Sequence, residues 1–473
     1  MEIRKNNYIS TPLDYVHRPV GDVHPRKGLT LFKDAKQQIK HNIDKKKTIE
    51  IYKQLQNHSV DFNEFETKFN ISEIKDRDIL DLEKHSQTNL LYEHNKDKFK
   101  NHDEFALYVE SNGLSDPKIN TDMSKYYTKE WTDALIIYEL DFLSYAILQF
   151  FENECNKFIK LVSKDGKYII NLFYSSKITS KKHFYEIIYH IHNILNWIVK
   201  VGNATINEFK LDIILCPFKK TFKYEFSSEQ LTLYPWLSWT HNMTNDGIRP
   251  FNINTGLSYV HKNHIVLFRK DELFKVLIHE CIHSLKYDFS DNKACNNKTC
   301  EIVLKKDVNL MLGYKRGKND YPLLINEAFT EYMAIVCWNY YLASYYMSKN
   351  TLVQNKFELF NNMINKELVN SAIMCNKLFK YYDITDLTIL NKSNIIKQYT
   401  NAFSYILIKY ILLINMVGLF ENKSATDINV LLKKEFDHIQ TYNYLLKLPV
   451  NYNDLLQLSF FHLTFKHTDK KMD

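Results

Sequence analysis

The spacing of apolar positions changes character along the chain. Residues 1 to about 25 are broken by Pro12, Pro19 and Pro25 and read as extended. Leu29 to Leu55 predicts one charged helix with a thin apolar stripe, and polar helices follow to about Gly113. Ser115-Asp116-Pro117-Lys118 reads as a linker. From about Tyr126 the apolar positions crowd together, predicting a long helix to about Leu161. A turn at Lys164-Asp165-Gly166 then leads to a strand at Tyr168–Tyr174. An amphipathic helix, His183 to Val201, and a strand, Leu211 to Leu215, come next. Phe226 to Asn254 is polar and aromatic and too long for an ordinary connection, which suggests a lid or substrate loop. Two short strands, Gly256–Val260 and His264–Phe268, are joined through His261-Lys262-Asn263.

The second strand runs into Leu273-Phe274-Lys275-Val276-Leu277-Ile278 and then His279-Glu280-Cys281-Ile282-His283, an HExxH sequence on a helical pattern. Residues four apart lie on one helix face, so His279 and His283 are placed to bind one metal ion together. Glu280 is rotated by about 100° from His279 and flanks that position, where a general base can take a proton from a water. Cys281 is expected to point into the packed side of the helix. A carboxylate-bearing helix follows at Asn326-Glu327-Ala328-Phe329-Thr330-Glu331, with Glu327 and Glu331 also four apart.

HExxH followed by this second helix resembles the gluzincin zinc metallopeptidases, the group that includes the thermolysin-like enzymes. The resemblance spans roughly His264 to Ala334 and rests on the two helices. It implies Zn2+ held by His279, His283 and Glu327, with Glu331 hydrogen-bonded to His279. Three protein ligands and one open position is the catalytic arrangement, and a carboxylate on the far nitrogen of a ligating imidazole fixes its tautomer. The gap from His283 to Glu327 is nearer to that of lethal-factor-type toxin proteases, which carry a tyrosine shortly before the glutamate. Tyr321 occupies a comparable place, with Tyr314 as an alternative. An oxyanion donor is expected from Tyr321, Tyr314, Tyr405 or His241, the last between two aromatic clusters.

Composition narrows the remaining classes. The 473 residues include 32 Tyr and 30 Phe but 10 Gly and 9 Pro, which favours a mainly helical protein. The net charge of +7 is spread in pairs such as Lys181-Lys182, Lys219-Lys220 and Lys305-Lys306, which reads as solvated surface and gives no basic patch for nucleic acid. Seven cysteines at irregular spacing, without an apolar leader at Met1-Glu2-Ile3-Arg4-Lys5-Asn6, read as reduced thiols in a cytoplasmic setting; Cys295 and Cys300 sit in a polar loop. Abundant Lys, Asn, Ile, Tyr and Phe fit an AT-rich viral or parasite genome. Phe403–Phe420 and Ala134–Phe151 read as buried helices rather than membrane spans. His190 and His192 face different directions on their helix, while His183 and His190 share a face and are expected at the surface.

The expectation is an α+β, mostly helical fold. A small twisted sheet and the active-site helix pack against a helical C-terminal subdomain, as in gluzincins. The expected organisation is a helical accessory region at residues 1–120, an α/β half with the zinc helix at 121–286, and a helical half at 287–473. The expected activity is zinc-dependent hydrolysis of a polypeptide substrate with Glu280 as base. The alternative is an inactive structural or host-interaction protein that keeps a zinc-binding fold; a zinc amidase acting on a non-protein amide is a further rival.

Overall fold

Alternation of side chains along the central strands gives the protein two hydrophobic cores, one on each face of a mixed sheet. In a computed structural model, the described residues are 25–39, 43–62, 69–71, 75–76, 87–112, 118–120, 145–177, 181–206, 208–222, 250–259, 263–288, 324–349, 355–388, 400–419 and 425–449, with positions 228, 232, 248 and 459. In chain order these hold α1 (Pro25–Gln38), α2 (Lys45–Gln56), β1 (Phe69–Ile71), β2 (Lys75–Asp76), α3 (Gln87–Asn95), α4 (His102–Asn112) and α5 (Tyr145–Glu154). Next come β3 (Lys157–Ser163), β4 (Tyr168–Tyr174), α6 (Lys181–Val201), β5 (Phe209–Ile214), β6 (Gly256–Tyr259), β7 (His264–Leu267) and α7 (Leu273–Ser284). The helical remainder comprises α8 (Ile325–Lys349), α9 (Lys356–Tyr381), a π-helical turn at Ser404–Ile408, α10 (Lys409–Asn415) and α11 (Ala425–Asp437). The fold is thus α+β and mostly helical, with one small sheet.

The sheet runs β1-β3-β4-β5-β7-β6, with β2 paired to the other end of β3. Strands β4, β5 and β7 are parallel, and β3 and β6 flank them antiparallel. Parallel neighbours need a crossover, and α6 makes the one from β4 to β5. Its apolar residues Phe184, Ile187, Ile188, Ile191, Ile194, Leu195 and Ile198 recur at helical spacing and are all buried. Leu211, Ile213, Ile265 and Leu267 enter the larger core with α6, α7, α8 and α9, whereas Ile214, Val266 and Phe268 enter the smaller one with α5. Period-two alternation with both faces covered explains why the apolar residues of these short strands are buried on both sides. Helix α2 also belongs to the larger core: the Tyr52 ring lies 5.7 Å from Tyr340 and 5.3 Å from Phe357.

Four expectations are corrected. The long apolar helix ends at Glu154, and Lys157–Ser163 is a strand whose Ile159 and Leu161 are buried while Lys160 is exposed. Alternation over these seven residues outweighs the helical run before them. The single helix expected over 29–55 is two, α1 and α2, the second capped by the Asp44 side chain, which accepts from the Lys46 amide at 2.8 Å. His190 is buried, with Nδ1 2.8 Å from the Tyr341 hydroxyl; the side chain of His183 lies outside the described ones. Lys220, read as surface, is also buried and ion-paired. No described helix is long and apolar enough to cross a membrane. Five cysteines, Cys155, Cys216, Cys281, Cys337 and Cys375, are free and buried; Cys295 and Cys300 lie outside the described residues.

Candidate metal centre

Helices α7 and α8 build the site between them. The apolar face of α7 packs on α8, with Phe274 stacked on Trp338 at 5.9 Å. That contact brings the C-terminal half of α7 to the first turn of α8. There His279, His283 and Glu327 converge with their potential ligand atoms all within 4.8 Å of one another, forming a group that could hold a metal ion. The two Nε2 atoms are 3.1 Å apart. Glu327 Oε2 lies 3.6 Å from His279 Nε2 and 3.4 Å from His283 Nε2. A tetrahedral ion with bonds of 2.0–2.1 Å needs donor atoms about 3.3 Å apart, so the triangle has the size the ion requires.

The far nitrogens supply a second test of fit. His279 Nδ1 is 2.9 Å from Glu331 Oε2, and His283 Nδ1 is 2.7 Å from Asp288 Oδ2. An ionised carboxylate only accepts, so each Nδ1 carries a hydrogen, and in the neutral ring each Nε2 turns a lone pair inward. Two lone pairs at 3.1 Å repel unless a proton or a cation lies between them. Burial opposes charge on both rings, yet the neighbouring carboxylates prevail. His279 is raised above its ordinary pKa by Glu327 and Glu331, and His283 is raised well above it by Glu327 and Asp288. Burial pushes Glu327 the other way, but the two imidazoles hold it well below the carboxylate range. The pocket is therefore built to receive positive charge.

Asp288 reaches His283 through a reversal at the end of α7. Lys286 takes the left-handed conformation at φ 60°, and the amides of Leu285, Lys286 and Tyr287 bond back to the carbonyls of Cys281, His283 and Ile282. Tyr287 then lies against Gly202, where an added Cβ would stand 1.7 Å from its ring. The Tyr287 hydroxyl donates to the Ile198 carbonyl at 3.3 Å. The glycine notch at the end of α6 thereby sets the residue that precedes Asp288.

Glu280 lies against β6. A Cβ on Gly256 would stand 3.0 Å from Glu280 Cγ and 3.1 Å from its Oε1. Burial raises its pKa; His279 and His283 pull it back, as does a hydrogen bond from Ser258 on the same strand. The net shift is upward. Cys281 faces the larger core, as expected.

Tyr405, on the π-helical turn, closes the site. Its hydroxyl donates to Glu327 Oε2 at 2.9 Å, and its ring lies 5.7 Å from that of His279. The same turn holds the start of α8, because Ser404 Oγ accepts from the Leu324 amide at 3.1 Å. Burial, followed by the charges of Glu327 and Glu280, raises the Tyr405 phenol well above its usual pKa and keeps it a neutral donor. Tyr321, Tyr314 and His241 lie outside the described residues, as does most of the lid expected over Phe226–Asn254. Asp288 was missed by sequence reasoning; only its spacing of five residues from His283 could have drawn attention to it. No family model, curated protein or solved structure matches the chain.

Proposed function

We propose that the protein is a zinc-dependent peptidase. The observation that carries this reading is the triangle of His279 Nε2, His283 Nε2 and Glu327 Oε2, with Glu280 beside it on the edge-strand side. Two imidazoles and a carboxylate form the donor set suited to zinc with one position left open. Their order along the chain is the one that resembles gluzincins, with Glu331 on His279 as that resemblance implies. When bound, the ion would polarise both a water and the scissile carbonyl. Glu280 takes the proton of the attacking water and returns it to the leaving amine. The Tyr405 hydroxyl donates to the oxygen on which negative charge develops. Strand β6 is paired on one side by β7 and ends the sheet among the described residues. Glu280 lies against its Gly256, and the side of β6 not paired to β7 would suit an extended polypeptide bound by main-chain hydrogen bonds. A purely structural or host-interaction role has no use for the Glu280 carboxylate beside the ligands.

Elemental analysis of wild type, His283→Ala and Glu327→Ala, with a peptide-library digest of wild type and Glu280→Gln, tests the proposal. About one zinc per chain is expected, lost in both ligand variants. Cleavage should disappear in Glu280→Gln while zinc is retained. A protein that takes up no zinc when it is supplied defeats the proposal. A zinc protein that cleaves no peptide but hydrolyses a non-protein amide keeps the centre and changes the substrate class.

A further inference from the structure

Behind the ligands lies a row of charges that the chemistry above does not use. Lys220 Nζ is 2.6 Å from Glu272 Oε2, and Lys275 Nζ is 3.4 Å from the same oxygen. Lys275 Nζ also donates to Glu331 Oε1 at 2.6 Å, while Glu331 Oε2 faces His279 Nδ1 at 2.9 Å. All four residues of the row are at most 4% exposed. Glu272 Oε1 accepts the backbone amide of Ser459 at 2.5 Å, so the row is closed at its outer end as well.

Such a row is an expensive way to fill a core. Burying paired charges is commonly less favourable than packing apolar groups of the same volume. Glu272 in addition takes the left-handed conformation at φ 56°, unusual for a residue other than glycine, just before α7. Lys275 lies one turn before His279 on the same helix face, so one helix directs both side chains to the single carboxylate of Glu331. One oxygen of Glu331 is taken by Lys275 and the other by His279, which fixes the plane of the carboxylate. Without Lys275 the Glu331 carboxylate loses the bond on Oε1, and the partner of His279 is held less firmly. Partners one layer out from a ligand commonly change metal affinity by about 10–100-fold.

We infer that Lys275, held by Glu272, is a positioning residue of the metal centre: it locks Glu331 so that His279 presents Nε2 to the ion. The inference rests on the zinc reading above. The Lys275 charge persists although burial opposes it, because Glu272 and Glu331 more than offset the cost and raise its pKa.

The test uses the full chain and zinc alone. The double variant Glu272→Gln/Lys275→Met removes one charge of each sign, so the sum over the row is unchanged. Zinc release to a chelator is timed for it, for Lys275→Arg and for wild type, and thermal unfolding of each metal-free protein is recorded. Release about tenfold faster in the double variant is expected, beyond whatever metal-free stability is lost with the partner of buried Lys220, and with Lys275→Arg largely restoring the slow rate. A merely structural role would lower metal-free stability and leave the release rate alone, which overturns the inference. Should the double variant not fold, Lys275→Gln carries the same comparison: release about threefold faster supports the inference, and an unchanged rate overturns it. Wild type that binds zinc, with equal release in all variants, removes the role of Lys275 and leaves the zinc reading standing. Wild type that binds none removes both.

Discussion

The Tyr405 hydroxyl donates a 2.9 Å hydrogen bond to Glu327 Oε2, across 78 residues of chain. A phenol this close to a proposed ligand atom would reach an oxygen bound beside it. In Tyr405→Phe the donor is lost and the ring remains. We expect kcat to fall by about 10²–10³-fold, the usual cost of one oxyanion donor, with KM little changed and zinc retained. Steady-state kinetics on a peptide found in the library digest, beside metal analysis, checks this. Equal loss of zinc and activity would instead make Tyr405 a prop for Glu327.

Asp288 holds His283 as Glu331 holds His279. Asp288→Ala should weaken zinc binding by about 10–100-fold. Gly202→Ala should weaken it too, although Gly202 touches no ligand, because the new Cβ displaces Tyr287. Competition titration against a chelator measures both. Wild-type affinity in Gly202→Ala would show that Asp288 keeps its place without the notch.

Gly256 is where β6 passes closest to the proposed base. In Gly256→Ala the Cβ would stand 2.7 Å from Leu267 Cδ2 and 3.0 Å from Glu280 Cγ. The leucine tip can turn aside; the glutamate has less room. We expect about a tenfold drop in kcat with zinc still bound, and destabilisation of about 1–3 kcal/mol from overpacking. Unfolding by denaturant and single-turnover kinetics separate the two effects.

His190 gives the fold its own pH dependence. Burial, and to a smaller extent Lys349, lowers its pKa to about 3. The unfolded chain titrates this histidine near its ordinary value of about 6.5, so below that pH the unfolded state binds a proton that the folded state does not. Stability from His190 is therefore complete above about pH 6.5 and is lost as pH falls toward about 3. By pH 4 the loss reaches roughly 3 kcal/mol at 1.36 kcal/mol per unit. Metal-free wild type and His190→Phe, unfolded in urea from pH 7 to pH 4, should differ by that slope. Parallel curves would mean that His190 is protonated in the folded protein.

How much of this was legible depends on the range of the forces involved. His279 and His283, and Glu327 and Glu331, are local pairs on single helices, so spacing alone put each pair on one face. Strands β4, β6 and β7 show in the sequence as short apolar runs between turns. What the pattern hid is non-local. Asp288 depends on Lys286 turning left-handed; Tyr405 was one of four candidate donors, and its bond to Glu327 across 78 residues is what the pattern could not show. Lys220, Lys275 and Lys409 hid for another reason. A lysine reads as solvent-facing until its buried partner is known, and the partners Glu272, Glu331 and Ser371 come from other parts of the fold or look equally polar in sequence.

The reversal that places Asp288 has a consequence for the order in which the centre is put together during synthesis. When residue 288 has emerged, both imidazoles and one of their carboxylate partners are on hand, but Glu327 and Glu331 are not. Tyr405 arrives later still, and Ser459, which caps the charged row, comes after most of the chain has been made. A nascent chain cut off before Glu327 would offer an ion two histidines and no third ligand. Latency is thus written into translation: catalysis of the kind proposed here would wait for the helical half of the protein, and incomplete chains would leave the ribosome inert.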